Sequence, residues 1–411
     1  MQQVCPKESC TGCTACMNVC AHSAINMKAD KYGFYYPDID QNKCVDCGLC
    51  VKTCPVNHPV HIEYPSDCYA VVCKDRDELK KVASGGMASI FSKYVLDRDG
   101  VVYGANGIDI RNVHHTRIDK LEDLDSIRGS KYVQSYMGDI YKQVKKDLKE
   151  GKQVLFTGTP CQVAGLKAFL HNKVYDNLIT ADLVCHGVPS QQMLNDNIDT
   201  YHFDKNEKLN VAFRIKPIQL EQPNDSKGID FGFNIKPRGI TYCFFLGGAS
   251  AVERNQWEIR KSINDDAYML GFWRCLTFRP NCFDCRYACA ARCGDFTIAD
   301  FWGLGDDTGL DKSNGVSLLL VNSDKAKEVW KEVSKDCISV KRSIVEAIKG
   351  NDQLQRPSKK PADQPLFRKL YPEMSFHDAV YTCSKGYLKN IKKQRIKSVI
   401  RRIIHLRFLK K

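Results

Sequence analysis

The sequence predicts two folded units of different class: a small, cysteine-held α+β domain, then a larger α/β domain with a largely parallel sheet. Three observations predict this. Eight cysteines fall in two runs of equal spacing within the first sixty residues, and beyond residue 64 short apolar strands alternate with amphipathic helices. The chain of 411 residues, 43% of them hydrophobic, is also long enough for two or three cores. No apolar run approaches the ~18 residues of a membrane span, and no basic stretch leading into an apolar segment marks a secretory signal. The expected setting is therefore the reducing cytoplasm, where clustered cysteines among the 21 present mean metal or redox chemistry rather than cross-links.

The first unit spans residues 1–63. Cys10, Cys13, Cys16 and Cys20 form one C-x2-C-x2-C-x3-C run, and Cys44, Cys47, Cys50 and Cys54, followed by Pro55, form the second. With this spacing three thiolates of one tight loop reach three irons of a 4Fe-4S cube, while the fourth, expected at the start of a short helix, points at the other cube. The expected ligand sets are Cys10, Cys13, Cys16 with Cys54, and Cys44, Cys47, Cys50 with Cys20. Zinc also takes four cysteines, but rarely through a doubled run of this kind. The segment resembles the bacterial two-cluster ferredoxins, departing from them at Ala21, where the first run ordinarily has proline. Cys5 lies outside the pattern as a spare thiol. Charge in this segment balances, so the net +13 of the chain arises elsewhere.

Residues 57–66 read as a linker containing prolines. Strands are then expected at 69–73, 100–105, 153–156 and 178–184, and helices at 87–96, 137–150, 162–170 and 190–201. The core divides at residue 150, into 64–150 and 151–350. A right-handed crossover from the strand before Cys161 to the strand before Cys185 places both thiols at the carboxyl edge of neighbouring strands, where open α/β sheets bind cofactors. A third group follows in Cys282, Cys285, Cys289 and Cys293. Two solutions compete: one centre held by Cys161, Cys185, Cys282 and Cys285, or a self-contained one held by Cys282, Cys285, Cys289 and Cys293. Cys68, Cys73, Cys243, Cys275, Cys337 and Cys383 read as inert thiols.

Ser84-Gly85-Gly86-Met87 opens a helix where backbone N-H groups can approach a phosphate, although a plain N-cap by Ser84 explains it equally well. Residues 128–132, with Lys131, form a basic turn able to neutralise a pyrophosphate or simply to line the surface. With the 84–87 and 129–135 segments, residues 154–166, 182–189, 282–285 and 295–303 together resemble the coenzyme F420 hydrogenase/dehydrogenase beta subunit family, in its version with a ferredoxin module in front. The resemblance implies an oxidoreductase core that binds FAD beside a further 4Fe-4S cluster. By position it makes Ser84, Gly85, Gly86 and Lys131 flavin contacts and prefers Cys161, Cys185, Cys282 and Cys285 as third-cluster ligands. His186 is the candidate proton donor, against a hydrogen-bonded histidine supporting the cluster. Asp295 and Asp300 share that ambiguity, and Trp302 is a ring-stacking or a core residue.

Residues 351–384 read as a surface connector. From 385 to 411 there are eleven Lys or Arg and no acidic residue, leaving about +2 for everything before. Ile396, Val399, Ile400, Ile403, Ile404 and Phe408 form an apolar stripe, so the tail reads as a basic amphipathic helix for the inner membrane face, an acidic partner, or its own core. No motif indicates nucleic acid. Three functions follow. The first is a self-sufficient iron-sulfur flavoprotein passing electrons between a ferredoxin-like carrier and an organic substrate, favoured because the chain carries its own ferredoxin. The second is an F420-linked electron-input beta subunit of a hydrogenase or dehydrogenase complex, and the third a non-enzymatic carrier.

Overall fold

The computed structural model describes residues 3–220, 241–248 and 257–408. In the first unit each cysteine run wraps into a one-turn helix, α1 (Ala15–Val19) and α2 (Leu49–Thr53). Thr14 and Gly48 turn the loop into these helices with φ of +66° and +72°. Cys20 and Cys54 are the C-caps, so the fourth cysteine of each run closes its helix rather than opening it. Between the runs β1 (Ile25–Ala29) and β2 (Tyr35–Ile39) pair as an antiparallel hairpin with Ile25 opposite Ile39.

The larger unit is built on one eight-stranded sheet. Its strands are β3 (Asp67–Cys73), β4 (Val101–Asn106), β5 (His114–Ile118), β6 (Val154–Gly158) and β7 (Leu178–Leu183), together with β11 (Phe296–Asp300), β12 (Ser317–Val321) and β13 (Cys337–Arg342). The order is β13-β3-β12-β11-β7-β6-β4-β5. Four central strands, β11, β7, β6 and β4, run parallel, and the flanking pairs are antiparallel. The α/β architecture is as expected, with the parallel part confined to the centre. Because β3 lies between β12 and β13, and β4 beside β6, residues 64–150 and 151–350 both contribute strands to one sheet, as two parts of one core.

Successive side chains leave a strand on opposite faces. Val102 and Leu155 thus face α4 (Met87–Leu96) and α9 (Asp324–Val333), while Val101, Tyr103, Val154 and Phe156 face α5 (Ile140–Lys149) and α6 (Pro160–Phe169). The short α3 (Arg76–Lys81) follows β3, and α7 (Gln191–Asp199) follows β7. A second sheet of β8 (Leu209–Ile215), β9 (Thr241–Gly248) and β10 (Ile259–Ser262) is antiparallel and packs with α7 and α8 (Ala267–Trp273).

Residues 351–384 are not a surface connector. After α10 (Ile344–Gly350) they fold into α11 (Gln364–Leu370) and the start of α12 (Phe376–Phe408), burying Phe367, Tyr371, Phe376, Ala379 and Val380 in the core around α8. The prolines mask this from a composition reading: Pro365 occupies the first turn of α11, where its missing N-H costs nothing. The tail is helical from Phe376 through Phe408, and Ile396 is about half exposed. The side chains of Val399, Ile400, Ile403, Ile404 and Phe408 lie outside the described residues. No helix of the described residues is long and apolar enough to cross a membrane.

Candidate electron-transfer site

Cys10, Cys13, Cys16 and Cys54 are buried together at the base of the first unit. Burial raises the Cys16 thiol, and the thiols of Cys13, Cys10 and Cys54 raise it further. Cys5 is hydrogen-bonded to both Cys10 and Cys54, so it sits against this group rather than apart from it. The other group is nearer the surface: Cys20, Cys44 and Cys50 are half-buried and Cys47 is exposed. Cys20 accepts the Ala24 amide, and Cys47 and Cys20 are the thiol neighbours of Cys50. Among the described residues, no three His, Cys, Asp or Glu side chains close on a position for a single metal ion.

A third group forms at the carboxyl edge of the parallel strands. After β6, Thr159 caps α6 with its backbone N-H bonded to Gln162 and its hydroxyl 3.2 Å from the Cys161 sulfur. The adjacent β7 pairs with β6 up to Gly158–Asp182 and delivers Cys185 beyond its end. Cys282 and Cys285 come from a single turn after Pro280. Burial raises all of these thiols, Cys185 and Cys282 to about 12. Cys161 faces Cys285 and Cys185, Cys185 faces Cys282 and Cys285, and Cys282 faces Cys161. Cys293 instead lies against Pro160 O and Asp182, and Cys289 against Ala291 O. Cys161, Cys185, Cys282 and Cys285 thus lie together at the sheet edge, with Cys289 beside Cys285.

Arg292 holds this arrangement. Fully buried, it pairs with Asp182 at 2.7 Å and donates to Tyr287 O, Cys289 O and Leu183 O, tying the loop that carries Cys285 to the end of β7. Asp182 also accepts from Thr297 and the Gly294 amide.

The ferredoxin-like unit docks on the same edge. Cys13 is a thiol neighbour of Cys161, and a Cβ on Gly165 of α6 would lie 3.0 Å from the Cys13 sulfur. Asn18 donates to Gly138 O, Gln134 to Thr11 O, and Ser190 to Tyr32 O. Between the two inner cysteine groups runs Arg279, fully buried, donating to Cys10 O, Tyr35 O and Gln134, with its guanidinium 4.3 Å from the Tyr36 ring centroid. Among the described residues it has no carboxylate partner.

The expected flavin contacts lie toward the end of β3 and across to β8. The N-cap of α4 is Gly86, at φ +94°, not Ser84. Ser84 is buried with its hydroxyl unpartnered. Gly85 is required by packing, since a Cβ there would meet Val71 O at 2.1 Å. Lys131 lies along Gly107 and donates to Arg128 O. Lys216, just past β8, donates to Leu79 O and Ser84 O. Burial lowers both lysines to about 7, and neither has an anionic partner among the described residues. Arg214 bonds Asp300 and Ser130, and Tyr242 stacks on Trp302 with centroids 6.1 Å apart. Buried cations and an orphaned hydroxyl are what a pyrophosphate would satisfy, so these residues fit such a group. Asp295, by contrast, is consumed by Thr180, Ser323 and Lys325. His186 is exposed, and its carbonyl accepts from Ser358.

Residues 151–345 match the family described as the C terminus of the coenzyme F420 hydrogenase/dehydrogenase beta subunit, and residues 9–58 match the 4Fe-4S dicluster domain. Over residues 151–345 the chain is thus similar to that beta subunit family, with a dicluster domain preceding this part. It is therefore an iron-sulfur, oxidoreductase-like protein. Over 77 residues, 18% of this chain and 92% of the other, it is 34% identical to a curated protein named Ferredoxin 7Fe from Hydrogenibacillus schlegelii. A chain of the F420-reducing [NiFe] hydrogenase complex from Methanosarcina barkeri superposes with a TM-score of 0.39 at 18% identity, over 79% of this chain and 93% of that one. Within the beta-subunit domain the sequence motifs mark the cysteines, whereas Arg279, Arg214 and Lys216 escape them. The only signal for Arg214 and Lys216 is two cations alternating with Phe213 and Ile215 in a strand.

Proposed function

We propose that the chain is an electron-transfer beta-type subunit that conducts electrons through three 4Fe-4S clusters to or from a flavin, with coenzyme F420 as the organic partner. The observation that carries it is the continuous run of three cysteine groups, from exposed Cys47 through buried Cys13 to Cys161. The ligands are Cys44, Cys47, Cys50 and Cys20 for the outer cluster, Cys10, Cys13, Cys16 and Cys54 for the inner one, and Cys161, Cys185, Cys282 and Cys285 for the third. The similarity of residues 151–345 to a beta subunit favours a subunit over the self-sufficient reductase that the fused ferredoxin suggests. FAD, when bound, exchanges hydride with organic partners and single electrons with iron-sulfur centres. Lys131, Lys216 and Ser84 would hold its phosphates, and Tyr242 and Trp302 supply aromatic surface beside them. His186, exposed just beyond Cys185, would exchange protons with solvent.

Anaerobically purified protein should contain about 12 iron and 12 sulfide per chain for three cubes, with one flavin. Cys161→Ser should remove about a third of the iron and leave the dicluster signals. Rapid reoxidation of the reduced protein by coenzyme F420 supports the subunit reading. Absence of flavin, with iron intact, reduces the function to electron carriage alone.

A further inference from the structure

The outer cysteine group is flanked by a groove of about 690 Å³ that none of the chemistry above uses. Its floor is apolar: Val19 precedes Cys20, Leu49 precedes Cys50, and Phe169 closes the far side. Its wall is α5, whose lysines 142, 145, 146 and 149 recur at three and four and so share one face. The acids at this helix offset them only in part. Asp147 is buried and bonded to Tyr103, Arg117 and Lys152, while Glu150 is shared between Lys146 and Lys152. Lys142 and Lys149 are exposed and have no acidic partner among the described residues. His171 also lines the groove.

We propose that this groove is the docking surface for a small acidic one-electron carrier protein of the ferredoxin type, seated so that its cluster faces Cys20 and Cys50. The proposal rests on the electron-transfer reading above and adds the partner and its place. An apolar floor beside a row of like charge sheds water on docking and steers an oppositely charged partner from a distance. The charge that would attract such a partner is that of the α5 lysines. A concave site beside a redox group suits a folded carrier better than a flat lipid surface.

The test is Lys142→Glu/Lys149→Glu in the full, cluster-loaded chain. Both positions are exposed and outside the cluster ligands. Stopped-flow reduction by an acidic plant-type two-iron ferredoxin should slow about tenfold or more at low ionic strength, with the difference closing as salt rises. Reduction by dithionite, which needs no dock, should be unchanged. Carbodiimide cross-linking of the parent to the same ferredoxin should map to Lys142 and Lys149 by mass spectrometry. Unchanged ferredoxin rates in the variant, or cross-links confined to residues 385–411, overturn the dock. So does an unchanged rate accompanied by lost binding to phosphatidylglycerol vesicles, which would make the patch a membrane contact. If dithionite bleaches neither protein, the electron-transfer reading itself fails.

Discussion

A guanidinium buried without a carboxylate is costly, and the bonds Arg279 makes to Cys10 O, Tyr35 O and Gln134 satisfy its protons without neutralising its charge. Cluster thiolates on either side would supply the missing negative charge, since Arg279 acts on both the Cys10 and Cys282 sulfurs. A unit charge at ~8 Å and an effective dielectric near 20 is worth about 2 kcal/mol, or roughly 90 mV for a one-electron couple. Arg279→Gln should therefore shift the inner-cluster potential downward by several tens of millivolts, read by EPR-monitored redox titration, whereas Arg279→Lys keeps the charge and the potential. A purely structural arginine would lower the melting temperature in both variants and the potential in neither. At Lys131 and Lys216 the consequence is in pH. Burial holds both at about 7, against 10.5 in the unfolded chain, so between those values the unfolded state binds more protons and stability rises with pH. Below pH 7 their contribution is flat. Pyrophosphate or FAD bound by these lysines would favour their charged form and should flatten the rise between pH 7 and 10, as should Lys131→Met with Lys216→Met, measured by thermal melts.

At the scale of elements, α6 does two jobs: its first turn presents Cys161 and its middle supports α1. Gly165 is where the two helices meet. A methyl there would stand 2.6 Å from the Tyr141 hydroxyl and 2.9 Å from the Cys13 Cβ, so Gly165→Ala should cost about 1–3 kcal/mol. It should also weaken magnetic coupling between the inner and third clusters, because relief requires α1 to move away. Cys289→Ser, whose sulfur bonds Arg286 O and Ala291 O of its own loop, should leave iron content unchanged. Much of this is readable in the residues. The C-x2-C repeats locate both ferredoxin groups, and the strand–turn–helix pattern around Cys161 predicts its place at the sheet edge. What escapes depends on partners distant in sequence. The antiparallel neighbours of β3 lie some 250 residues on, so no local pattern announces that β3 pairs with β12 and β13. Residues 351–384 resemble a connector because their apolar residues, Phe367, Tyr371 and Phe376, are few and spaced among prolines and charges; packing against α8 buries them. Arg279 is invisible as a site residue because nothing local distinguishes a buried arginine from an exposed one.

On the scale of the molecule, the inner cysteine group is the most buried of the three and lies between the outer group and the sheet edge, and the first unit is clamped rather than tethered. Its contacts come from across the chain: Gln134 and Gly138 before α5, Gly165 in α6, Ser190 before α7, Arg279 before the third group, and Arg368 in α11, which lies 4.4 Å from the Tyr32 ring centroid. Several of these contacts bury charge or backbone polar groups that separation would leave to be rehydrated in a reshaped interface. A unit held this way does not swing between partners, as a ferredoxin on a flexible linker would. Electron transfer from the dicluster to the third group should then be insensitive to solvent viscosity, and differential scanning calorimetry of the cluster-loaded chain should give one cooperative transition. Two separated transitions, with rates that fall as glycerol is added, would mean that the first unit moves independently and that its contacts are transient. Arg368→Ala removes the cation over Tyr32 and Phe34 without touching a cysteine. It should broaden or split the single transition while leaving the iron count intact, which separates loss of docking from loss of clusters.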